Sequence, residues 1–139
     1  MKTIKLLGFI ALSVITFSCS TEQAEKVADE FHQKLDERDY DYIVNNLADL
    51  EDVTKDEWHG FLSIVDGWGP QTNRVKESGF NKKIDNGIER VRFSYTFDIP
   101  EIGKVYERIV LVERPEGYKI RTVLMNSDES IVIKGTEEF

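Results

Sequence analysis

The sequence predicts an α+β domain, three N-terminal helices packed on a four- to five-stranded antiparallel sheet. Through the first half, apolar residues recur at steps of three and four, the period of a helix with one buried face. From about Thr72 the pattern changes to strict alternation, the period of a strand with one dry and one wet side. Helices followed by strands, rather than alternating with them, indicate an antiparallel sheet with the helices on one face.

Residues 1–18 lie ahead of this domain and read as an export signal. Lys2 and Lys5 form a positive start, residues 6–17 form an apolar run of 12, and Ser18 supplies a small residue before the only cysteine, Cys19. The run is shorter than the roughly 20 apolar residues that cross a bilayer as a helix. Thr16-Phe17-Ser18-Cys19 resembles the lipobox of bacterial lipoproteins, though Thr16 and Phe17 depart from its usual residues. That resemblance implies an acylated Cys19 as the mature N-terminus, held to the lipid bilayer in the bacterial cell envelope, at the outer membrane. Two or more acyl chains give a lasting anchor where one gives a reversible one. The alternative is simple cleavage after Ser18 or Ser20. A single cysteine excludes an intramolecular disulfide.

Residues 19–139 form a single domain, long enough to bury about two thirds of its unfolded surface. In the first helix, which Ser20 or Thr21 can cap, Ala24, Val27, Ala28, Phe31 and Leu35 share a face. Its other face carries the pairs Glu22/Lys26 and Glu30/Lys34. A second, short helix starts near Asp39 or Asp41 and uses Ile43, Val44, Leu47 and Leu50. The third opens on the capping box Thr54-Lys55-Asp56-Glu57, sets Trp58, Phe61, Leu62 and Val65 along one stripe, and stops at Gly67-Trp68-Gly69-Pro70.

Among the strands, Val91, Phe93, Tyr95 and Phe97 alternate with Arg92, Ser94 and Thr96. Asp85-Asn86-Gly87 before them is a hairpin signal, because Asn and Gly accept the positive φ of a tight turn. A strand from about Arg74 therefore pairs with residues 90–98. A third strand covers residues 104–113 and a fourth residues 118–125, turned by Pro115-Glu116-Gly117. Ile131-Val132-Ile133 is expected to add a short last strand within an atypical tail, residues 127–139.

Ala24 and Ala28, then Trp58, Gly69 and Arg74, then Val91-Arg92-Phe93-Ser94-Tyr95-Thr96-Phe97 stand in an order that resembles the nuclear transport factor 2-like superfamily. The resemblance covers about residues 22–126 and points to small exported bacterial proteins of unknown function. It implies a curved sheet wrapped as a cone around the first helix. Its members include dehydratases, isomerases and polyketide cyclases as well as binding and dimerisation modules, so the fold alone assigns no chemistry.

Enzymes of that superfamily place an Asp or His and a Tyr inside the cone. Candidates for such polar groups are Tyr40, Asp41, His59, Asp66 and Tyr95, with Trp58, Phe93 and Phe97 as walls. Simpler roles compete: Asp41 as a helix cap, His59 off the apolar stripe, Tyr95 as core filler. The reading favoured is a non-catalytic domain whose cone, lined by Tyr40, Trp58, His59, Phe93, Tyr95 and Phe97, receives a ligand or protein partner. One alternative is a small dehydratase or isomerase. Another is an inhibitor or immunity-like protein using an acidic helical face on a basic partner. No cofactor or metal is expected, since His32 and His59 lack metal-ligand spacing and the acidic run around Asp49, Glu51, Asp52 and Asp56 lacks a calcium loop's Gly and terminal Glu.

Charge is unevenly divided. Residues 19–69 hold 4 basic and 14 acidic side chains, residues 70–125 hold 11 and 8, and residues 126–139 hold 1 and 4. The strongly acidic total disfavours nucleic acid. On the sheet, Arg74, Lys76, Arg90, Arg92, Lys119 and Arg121 are expected to pair with Glu77, Glu89 and Glu107, to meet an anionic partner, or to join a homodimer through the sheet face.

Overall fold

The computed structural model describes residues 19–132, so the export signal and residues 133–139 lie outside the described residues. Helix α1, Cys19–Asp36, buries Ala24, Ala28, Phe31 and Leu35 as its spacing requires. Ser20 and Thr21 fall inside this helix rather than at its cap. Of the surface pairs expected on it, Glu30 instead accepts a hydrogen bond from the Tyr42 hydroxyl, and Lys34 pairs with Glu37 at 3.1 Å.

The expected second helix divides into one turn, α2 (Tyr40–Tyr42), and a π-helix, Ile43–Leu47. Asp39, not Asp41, is the cap, its Oδ1 accepting from the Tyr42 amide at 3.3 Å. The π-helix ends because Ala48 turns extended and the chain joins the sheet, where the Asp49 amide donates to the Ile120 carbonyl at 2.8 Å. Leu50 consequently leaves the apolar stripe and is exposed. Helix α3, Lys55–Gly67, carries the full capping box, with the Thr54 Oγ1 accepting from the Glu57 amide at 3.2 Å and the Glu57 carboxylate accepting from the Thr54 amide at 2.8 Å. The Thr54 amide and the Thr54 hydroxyl, which donates to the same carboxylate at 3.0 Å, hold the Glu57 carboxyl below its usual range.

Five strands form one antiparallel sheet: β1 (Thr72–Lys76), β2 (Asn81–Asp85), β3 (Ile88–Ile99), β4 (Gly103–Arg114) and β5 (Gly117–Asn126). The order is β1-β3-β4-β5, and β2 also pairs with β3. The single strand expected from Arg74 is thus two, β1 against the far half of β3 and β2 against its near half. Asn86 and Gly87 take φ of 50° and 77° in the β2–β3 turn, as the hairpin signal requires.

Register puts Val91 opposite Leu111, Phe93 opposite Ile109, Tyr95 opposite Glu107 and Phe97 opposite Val105. Directly opposed residues share a face, so these eight face the helices, and all are buried. Ile131 and Val132 do not form a strand. They end a short helix, α4 (Glu129–Val132), because Asp128 caps it: its Oδ1 accepts from the Ser130 amide at 2.9 Å and from the Ser130 hydroxyl at 2.6 Å. Helix α4 packs on β4 and β5, burying Val132, whose carbonyl accepts from Arg108 at 3.4 Å.

Several basic sheet residues cross to the helical half rather than pairing within the sheet. Arg74 bonds both Asp36 oxygens at 3.0 and 3.1 Å, Lys76 pairs with Glu25, and Arg121 pairs with Asp52 at 2.9 Å. Glu107 points into the core, and Glu89 pairs with Lys82. The charge asymmetry of the sequence thus becomes a set of contacts joining the two halves.

Candidate functional site

Helices α1 and α3 end side by side, and a cleft opens between their last turns. After α1 the chain reverses through Arg38, held at φ 59°, with the Arg38 amide donating to Leu35 O at 3.1 Å and the Asp39 amide to Lys34 O at 2.9 Å. This reversal brings Tyr40 against the end of α3. There, Trp68 and Gly69 close the last turn by donating to Val65 O and Asp66 O, and Gly69 takes φ of 89°. The cleft encloses about 210 Å³, and its lining includes Leu35, Arg38, Tyr40, Val65, Asp66 and Gln71.

Its central contact is the Tyr40 hydroxyl donating to Asp66 Oδ1 at 2.5 Å. Burial, then the hydrogen bond and charge of Asp66, push the Tyr40 phenol up to about 12, against the opposing charge of Arg38. The Arg38 Nε lies 3.6 Å from the same Asp66 oxygen, both side chains being well exposed. Beside it, Arg74 clamps Asp36 and donates to Gln71 Oε1 at 2.8 Å, while Gln71 Nε2 is buried without a partner among the described residues.

A second polar cluster is closed. His32 Nε2, on α1, lies 2.5 Å from Glu107 Oε1 on β4, the two residues being 5% and 0% exposed. The His32 ring meets the Tyr95 ring edge-on at 4.5 Å between centroids. Tyr95 is buried and its hydroxyl has no hydrogen-bond partner among the described residues; the same holds for Glu107 Oε2. Burial above all, then the charges of Asp29, Glu107 and Glu25, raise the Tyr95 phenol well above its ordinary range.

An apolar groove of about 240 Å³ lies between α3 and β5, lined by Val53, Glu57, Trp58, Phe61, Arg121, Thr122 and Val123. Trp58 is nearly buried there and meets Phe61 edge-on at 6.1 Å.

The residues singled out from the sequence therefore separate. Tyr40 and Asp66 meet in the open cleft. Asp41 and His59 approach to 3.7 Å on the surface, Trp58 borders the groove, and Phe93, Tyr95 and Phe97 are core residues. His32 and Glu107 were not anticipated as partners, although each carries a signal: a polar residue at an apolar position of an otherwise regular pattern. His32 sits on the stripe of Ala28 and Leu35, and Glu107 interrupts Val105, Ile109 and Leu111. Arg38 and Gln71 carry no such signal. No protein-family model matches the chain, and no curated protein matches it significantly.

Proposed function

We propose that this chain is a lipid-anchored protein of the bacterial cell envelope, with a nuclear transport factor 2-like cone, that binds a ligand or partner without chemistry. The observation that carries the reading is the position of the open cleft. It lies at the C-terminal end of α1, and Cys19 lies at the other end of the same 18-residue helix. At 1.5 Å per residue the helix spans roughly 27 Å. Acylation of Cys19 would hold the start of the helix at the membrane and present the cleft on the far side, open to the aqueous compartment. Among the described residues no helix is long and apolar enough to cross a membrane, so attachment would rest on the lipid.

Binding without chemistry is supported by the interior. Phe93, Tyr95 and Phe97 are each no more than 3% exposed, so the side chains that would line a reaction chamber fill the core. A homodimer through the sheet would have to include α4, which packs on β4 and β5.

A second reading, a small dehydratase or isomerase, is favoured by one observation: Tyr40 and Asp66 converge within hydrogen-bond reach of one cavity.

The test is expression of the full chain in a bacterial host with a labelled fatty acid. The wild type is expected to carry label and fractionate with membranes, and Cys19→Ala to lose both. A photo-reactive residue in place of Phe61 or Arg38 would then report what the tethered domain touches. An unlabelled, freely soluble wild-type protein would overturn the anchored reading.

A further inference from the structure

The cleft between the ends of α1 and α3 is electronegative in a way its residue types alone do not reveal. Both helices point their C-terminal ends at it, α1 ending at Asp36 and α3 at Gly67, and each such end carries about half a negative charge. Two carboxylates, Asp36 and Asp66, stand at these ends. Arg74 neutralises Asp36 through two hydrogen bonds. Among the described residues Asp66 has no such clamp: it accepts from the neutral Tyr40 hydroxyl, and the Arg38 guanidinium stops at 3.6 Å, beyond hydrogen-bond distance. The walls beside Asp66 are aliphatic, with Leu35 and Val65 nearly buried and Pro70 at the rim. Tyr40 adds an aromatic ring, a surface that attracts cations.

Volume limits what fits. About 210 Å³ corresponds to roughly seven water-sized volumes at about 30 Å³ each, the size of a short alkyl chain with a charged head. Arg38 already offers the same chemistry at the mouth. Its backbone is held at φ 59°, its side chain is 65% exposed, and its Nε approaches the Asp66 oxygen without a close bond. Exposed pairs of this kind contribute little stability and are readily exchanged.

We propose, resting on the binding reading above, that this cleft takes an alkyl-ammonium or alkyl-guanidinium group. The cationic head sits on Asp66 between the two helix ends, the alkyl stem lies on Leu35, Val65 and Pro70, and Arg38 swings out as a tethered stand-in. The group can come from a free small amine or from a Lys or Arg side chain of a partner protein.

The test uses the mature chain, residues 19–139, and two probes: agmatine for the free amine and the capped peptide acetyl-Gly-Arg-Gly-amide for the side chain. Binding is read from amide chemical shifts around residues 36–40 and 65–71, with butyrate as the uncharged-stem, anionic-head control. At least one cationic probe is expected to bind, and butyrate is not. Arg38→Ala should tighten binding threefold or more, Asp66→Asn should weaken it tenfold or more, and raising sodium chloride from 50 to 500 mM should weaken the wild type. Binding of agmatine alone assigns a free amine, and binding of the peptide alone assigns a partner's side chain. Equal affinity in Asp66→Asn, weaker binding in Arg38→Ala, or no binding of either probe to the wild type and Arg38→Ala would overturn the proposal. Membrane labelling of the full chain and cross-linking from Phe61, which lies in the other groove, would be untouched by that result, so failure of the cation site and failure of the tethered binding reading are separable.

Discussion

His32 Nε2 and Glu107 Oε1 meet at 2.5 Å in the middle of an apolar core, joining α1 to β4. Taking two such groups out of water is costly, and their attraction offsets the cost only while both are present. His32→Leu or Glu107→Leu alone should therefore destabilise by about 3–5 kcal/mol. The pair His32→Leu/Glu107→Leu should fall near wild type, or above it by about 1–4 kcal/mol. Urea unfolding of the four proteins, followed by circular dichroism, gives the coupling directly. Additive losses in the double variant would show that the two residues do not act as a pair.

Tyr95 stands beside this pair with its hydroxyl buried and without a partner among the described residues. A buried hydroxyl lacking a hydrogen bond costs roughly 1–3 kcal/mol, while the ring packs as well without it. Tyr95→Phe is expected to raise stability by about 1 kcal/mol. A loss of stability instead would mean that the hydroxyl has a partner, such as an internal water shared with Glu107 Oε2.

Alkaline pH should loosen the protein through its phenols. The folded state holds Tyr40 up to about 12 by burial and the Asp66 contact, and it raises Tyr95 by burial and surrounding carboxylates. A raised folded pKa means that the protonated phenol is favoured by folding. The contribution is whole below the unfolded value near 10 and is lost, for Tyr40, as pH climbs through about 12. Thermal midpoints should fall from pH 10 upward, and tyrosinate absorbance at 295 nm should lag that of the urea-unfolded chain. Tyr40→Phe should flatten part of the fall.

How much of this was legible in the sequence differs by level. Helix α3 was readable to the residue because its start signal is local: Thr54 and Glu57 satisfy each other's amides within one turn. The dry and wet sides of β3 followed from alternation, and Asn86-Gly87 turned the hairpin. The second helix was misread past Leu47 because a π-turn and the Asp49–Ile120 bond are set by the sheet, not by local spacing. Ile131-Val132 looked like a strand on β-branched content, yet Asp128 capping Ser130 made one helical turn the better local solution. Of the site, Tyr40 and Asp66 were among five candidates. Their pairing, 26 residues apart, depends on Arg38 reversing the chain at positive φ, which a residue other than Gly or Asn does not advertise.

The last prediction concerns the strap that closes the sheet edge. Asp49 follows the π-helix, lies nearly buried, and accepts from Arg114 at the end of β4 through two parallel bonds, Nε to Oδ1 at 3.1 Å and Nη2 to Oδ2 at 2.9 Å. The flat fork of a guanidinium matches a carboxylate in a way an ammonium does not. Arg114→Ala should therefore cost about 3 kcal/mol, since it leaves a buried carboxylate uncompensated. Arg114→Lys should recover less than half of that, keeping the charge and losing the second bond. If the strap holds the Asp49–Ile120 bond in place, hydrogen exchange at the Asp49 amide should quicken in both variants, more in the alanine. Unchanged exchange with lowered stability would assign Arg114 to charge balance alone, with Glu51 as its other partner.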